Sequence, residues 1–93
     1  WAGKEGGHVP AITAAGAVTV NHGQTIDQPD TEDHWITTIY VRDQDGVVIH
    51  LIELDGTEEA PDTSFAPPAG VTQMTAYAYC NLHGLWRSDP VAL

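Results

Sequence analysis

The sequence is poor in positive charge. Three Lys and Arg stand against 13 Asp and Glu in 93 residues, a formal net charge of −10. Such a chain repels phosphate backbones and anionic lipid surfaces, which argues against nucleic acid and membrane faces as partners; it fits a basic partner such as an electron-donor protein, a high-salt habitat, or solubility alone. Cysteine is almost absent as well. The single Cys80 excludes an intramolecular disulfide, a Cys₂His₂ zinc site and a Cys-x-x-Cys-His haem attachment. No apolar run is long enough to span a bilayer as a helix, and no Gly-rich phosphate loop of the usual spacing occurs. The chain starts at Trp1 rather than Met. An exported or periplasmic protein with its leader removed is the expectation, and a cytoplasmic location is the alternative.

Helical periodicity is missing too, and strand signals take its place. Residues 17–20, 34–41, 47–54 and 71–79 are rich in β-branched and aromatic side chains that suit a pleated, half-buried surface. Asp43-Gln44-Asp45-Gly46 is a hairpin turn between the second and third of these runs. Residues 57–70, with Pro61, Pro67 and Pro68 among acidic residues, form a long loop on this reading. Short strands separated by turns, with no internal repeat, predict one all-β domain over residues 1–93, built as an antiparallel sandwich or barrel. A domain of this size has a modest core, so a bound metal would contribute to folding as well as to chemistry.

The sharpest local feature is Cys80-Asn81-Leu82-His83-Gly84-Leu85-Trp86. A thiolate and an imidazole separated by two residues across a tight loop can face one ion; the thiolate is a strong soft donor, and imidazole suits iron, copper and zinc. Gly84 lets the backbone turn sharply, and loop N–H groups can donate to the sulfur and tune its potential. A buried, inert Cys beside a surface His is the competing reading. Four further histidines, His8, His22, His34 and His50, lie elsewhere in the chain. Each taken alone reads as structural.

The motif resembles the C-N-[IL]-H-G-[LV]-W signature of the desulfoferrodoxin and neelaredoxin family of superoxide reductases. The likeness extends over nearly the whole chain. Residues 1–10, ending in His8-Val9-Pro10, are similar to the family's E-K-H-V-P start, and residues 18–36 resemble its V-x-V-x-x-G-x-x-I-x-H-P-x-T-x-E-H-x-I segment. The resemblance implies an immunoglobulin-like antiparallel β-sandwich. It also implies one iron held by four equatorial histidines and an axial cysteine, which reduces superoxide to hydrogen peroxide with one electron and two protons. Carried over, the metal ligands are His8, His34, His83 and Cys80. Where the family has its fourth histidine this chain has Gln28-Pro29, so Gln28, a water or His22 fills that place. Gly6-Gly7 replace the family's Glu-Lys pair, and Lys4 and Glu5 are the displaced candidates for its catalytic role.

Three functions follow from these observations. The first is a superoxide-reductase-like iron enzyme with a modified site. The second is an electron-transfer or sensing metalloprotein, for which copper is the alternative metal, because imidazoles, one thiolate and a weak Gln oxygen resemble blue-copper ligand sets. The third is a structural or interaction domain with a vestigial site, a homo-oligomer or small subunit of a larger redox complex that docks through the acidic loop from Thr57 to Asp62.

Overall fold

A computed structural model of the chain describes residues 7–93. Eight strands follow in order: β1 (Ala11–Ile12), β2 (Ala17–Thr19), β3 (Ile36–Arg42), β4 (Val48–Glu53), β5 (Asp62–Ser64), β6 (Gln73–Cys80), β7 (Gly84–Arg87) and β8 (Val91–Ala92). All the pairings are antiparallel. One sheet has the order β1-β2-β5; the other runs β4-β3-β6-β7, with β8 on the end of β6. The expected sandwich is present, and among the described residues there is no helix longer than a single short turn.

Each long strand follows from its residues. In β6, Met74, Ala76, Ala78 and Cys80 alternate inward with no exposure, while Tyr77 and Tyr79 point outward. Cys80 is therefore the last rung of a core-facing ladder, and its sulfur emerges where the core ends. In β3 the inward residues are Ile36, Ile39 and Val41, an uneven spacing. A register shift between Ile36 and Thr38 against β6 explains it, because one irregular step lets both Ile36 and Ile39 face the core. Val18 and Val20 close the core from the other layer.

The turn at 43–46 is as the sequence implies. The Asp43 carboxylate accepts from the Asp45 and Val47 amides at 2.9 and 3.0 Å, and Gly46 takes φ +79°. The segment 57–70 is more ordered than a loop. Val18↔Thr63 pairing makes its centre into β5, too short a strand for composition to reveal. The Cys80–Trp86 motif is itself a hairpin, with Cys80 paired to Gly84 and Ala78 to Trp86. On the outer face of the larger sheet, Tyr40 and Tyr77 stack at 4.7 Å, with the Arg42 guanidinium over both rings.

Candidate metal centre

Two ends of the sandwich segment order meet at one place. The β6–β7 turn supplies Cys80 and His83, and the connection between β2 and β3 supplies His22 near its start and His34 near its end. His8, from the segment before β1, lies over them and is only 5% exposed. One donor atom each from His8, His34, Cys80 and His83 lies within 4.8 Å of every other. His8 Nε2 is 3.0 Å from His83 Nδ1, and His34 Nε2 is 3.2 Å from the Cys80 sulfur. His83 turns its Nδ1 to the sulfur at 3.8 Å, the shorter-reaching nitrogen, because the tight turn already brings its backbone close. Fully buried Cys80 sits between them.

His22 joins the same cluster. Its Nε2 is 3.1 Å from His34 Nε2 and 3.8 Å from the Cys80 sulfur. Its ring lies edge-on to His34 and His8, with centroids 4.5 and 4.8 Å away. Burial is the main influence lowering its pKa; the hydrogen bond to Gly23 opposes this, and His34, His8 and His83 add to it. The neutral imidazole, the form that binds metals, is thereby favoured. Gln28 is exposed, and its amide donates to the Ile26 carbonyl at 3.3 Å.

The signature's other residues assemble the site. Asn81 is a two-way clamp: its side-chain oxygen accepts from the Trp35 amide at 2.9 Å and its nitrogen donates to the Asp33 carbonyl at 2.8 Å. Those two contacts flank His34 and lock it onto the turn that carries Cys80. Gln24 does the same one layer further in, accepting from Ile36 N at 2.8 Å and donating to Ile36 O at 3.3 Å. A bridge between Thr25 and His34, with bonds of 2.9 and 2.7 Å, draws the two ends of the connection together. Trp86 stacks on His8 at 5.0 Å and donates its indole N–H to the His83 carbonyl at 3.1 Å. Trp35 reaches Leu54 O at 3.1 Å. Both indoles are half-buried rather than core residues, with their polar edges satisfied.

The Asp33 carboxylate, next to His34 in the chain, accepts from Asp27 N at 2.9 Å. His50 bonds Thr63 Oγ1 at 2.9 Å and stacks on Phe65, a link between the two sheets. The clamping roles of Asn81 and Gln24 were not read from the sequence; the Asn beside Cys80 is the only local signal of them. Lys4 and Glu5 lie outside the described residues.

The fit to a metal can be tested by arithmetic. Two donors each about 2.1 Å from one ion and at right angles to each other stand roughly 3.0 Å apart; a nitrogen and a sulfur at about 2.3 Å stand roughly 3.1 Å apart. The nitrogen pairs at 3.0 and 3.1 Å and the His34 nitrogen–sulfur pair at 3.2 Å match those separations, while the His22 and His83 nitrogens, each 3.8 Å from the sulfur, would have to draw in around a bound ion.

A family model described as desulfoferrodoxin matches residues 2–89. The chain belongs to the desulfoferrodoxin family. It is 37% identical over 87 residues to a desulfoferrodoxin of Clostridium acetobutylicum, covering 88% of this chain and 61% of that one. To a desulfoferrodoxin homolog of Archaeoglobus fulgidus it is 38% identical over 86 residues, covering 92% and 64%. It thus spans less than two thirds of the length of these relatives. Among solved structures, the superoxide reductase of Treponema pallidum superposes with a TM-score of 0.67 at 30% identity, over 91% of this chain and 68% of that one. The superoxide reductase (1Fe-SOR) of Giardia intestinalis does so with 0.64 at 29%, over 92% and 97%. The Giardia protein is by its name a one-iron superoxide reductase, and the histidine–cysteine cluster of this desulfoferrodoxin-family chain fits such an iron site.

Proposed function

We propose that this chain is a one-electron redox domain of the superoxide reductase type, with one non-haem iron held by His8, His34, His83 and Cys80. The observation that carries the reading is the convergence of these donors within 4.8 Å, on a chain that matches the family over residues 2–89. Bound there, iron would supply the electron that reduces superoxide to hydrogen peroxide, and the thiolate would push electron density toward it. The protein's own part is to hold the donors. The core ladder of β6 fixes Cys80, the Asn81 clamp fixes His34, and Trp86 holds His83 by its carbonyl while its ring backs His8.

The test is direct. Iron-loaded, reduced protein is mixed with a pulse of superoxide, and the visible spectrum and peroxide yield are followed. Rapid oxidation of the iron with about one peroxide per chain is expected; an unoxidised ferrous spectrum after the pulse would sink the proposal.

A second reading, electron transfer or sensing without superoxide turnover, draws support from the charge pattern. Gly6-Gly7 precede His8 in the sequence, and among the described residues Arg42 stands at the far end of β3 over two tyrosine rings. A protein of net charge −10 repels a small anion unless a cation steers it to the site. Gly7 separates the readings. A Cβ there would lie 3.6 Å from the Asn21 carbonyl, an ordinary contact, so Gly7→Lys is sterically acceptable. The added charge is expected to speed the superoxide reaction several-fold at low salt, with the gain fading as salt rises. A rate of zero in both forms, beside a reversible one-electron couple, would favour electron transfer.

A further inference from the structure

We propose that His22 supplies the fourth imidazole of the metal site, from the near end of the β2–β3 connection, and that Gln28 takes no part. This rests on the reading of the cluster as an iron site and specifies its ligand set.

The first observation is chemical. His22 Nδ1 lies 2.6 Å from the Gly23 carbonyl oxygen. A carbonyl only accepts, so the ring proton belongs to Nδ1 and the Nε2 lone pair is presented. That lone pair points into the cluster, 3.1 Å from His34 Nε2 and 3.8 Å from the sulfur. A second donor fixed to a backbone carbonyl is the usual way a metal-ligating histidine is held in one tautomer and orientation.

The second observation is geometric. The His22–His34 separation of 3.1 Å repeats the His8–His83 separation of 3.0 Å. Both match neighbouring nitrogens around a single ion, as derived above. With His22 the set becomes four nitrogens and one sulfur. Five donors exceed the four of a closed tetrahedral zinc site and leave one vacant position for an octahedral ion.

The third observation concerns the rival. The Thr25–His34 bridge closes the connection, so residues 26–33 form an excursion beyond it, while His22 stands on the cluster side. The excursion satisfies itself. Asp33 Oδ1 accepts from Asp27 N at 2.9 Å, Thr31 N donates to Gln28 O at 3.3 Å, and Asp27 and Asp30 adopt φ of +55° and +60°, a conformation short polar residues tolerate. Gln28 is exposed on it and directs its amide to the excursion's own backbone. The imidazole would then come from a point of the connection six positions before Gln28.

The test compares His22→Ala, His22→Gln and Gln28→Ala with the parent protein. Ferrous affinity is measured by competition with a chelator, and imidazoles on the iron are counted by X-ray absorption fine structure. For His22→Ala the inference expects an affinity loss beyond the roughly 10–100-fold typical of a merely supporting residue, and one imidazole fewer. His22→Gln keeps the side chain's length should the smaller residue disturb the fold, and is expected to lose the imidazole as well. Gln28→Ala is expected to stay within about twofold of the parent. An unchanged imidazole count in both His22 variants, or an equal affinity loss in Gln28→Ala, overturns the assignment while the iron site itself stands. A parent protein that takes up no iron overturns the functional reading and this one with it.

Discussion

The two segments that build the cluster solve the same problem in opposite ways. The Cys80–His83 turn is four residues long and holds its donors by local geometry: strand alternation aims Cys80 inward, and the hairpin returns at Gly84 with φ +82°. The β2–β3 connection spreads His22 and His34 over twelve positions and holds them by long-range bonds, to Asn81 on one side and Ile36 on the other. A short turn fixes ligands through its own torsions, so it is recognisable as a motif. A long connection fixes them through partners distant in sequence, and a ligand can shift along it without disturbing the frame.

Cys80→Ser breaks the comparison most severely, on the turn side. It should abolish the thiolate-to-iron charge-transfer band outright while circular dichroism stays strand-like; a retained band would show that the sulfur is not bound. Asn81→Ala cuts the link between the two segments. It strands the Trp35 amide and the Asp33 carbonyl, which costs about 1–3 kcal/mol of stability. Because His34 is then held less firmly, iron affinity should fall roughly 10–100-fold. Chemical denaturation and chelator competition measure the two effects separately. Gln24→Ala sharpens the contrast with the smallest expected effect. It removes the acceptor of the Ile36 amide, a loss of about 1 kcal/mol, together with longer amide contacts to the Ile36 carbonyl and to Glu58, and leaves the Cys80–His83 turn untouched. Its iron affinity should fall less than that of Asn81→Ala, and a larger fall would mean that the connection, not the turn, governs assembly of the site.

Much of this was open to a reader of the sequence, for reasons that differ between elements. The strands over 34–41, 47–54 and 71–79 announce themselves by β-branched and aromatic residues, and the structure moves their ends by only a few positions. β1, β5 and β8 span two or three residues each. Pairing alone makes them strands, and composition carries no trace of it. The cluster of His8, His34, Cys80 and His83 was expected from a family likeness, and the structure brings all of them together. The sequence leaves Gln28, a water or His22 for the fourth place, because no local signal selects among them. The Thr25–His34 bridge, a contact across nine positions, places His22 with the other histidines.

One consequence reaches beyond the site. The contact between His8 and His83 joins positions 75 apart, near the two ends of the described chain. An ion shared by them would act as a clasp on a ring containing most of the protein, and closing a ring of that length restricts the unfolded chain strongly. The strap would have to open before the sandwich could come apart. Resistance to proteolysis would then track iron supply, and a cell short of iron would lose the empty protein first.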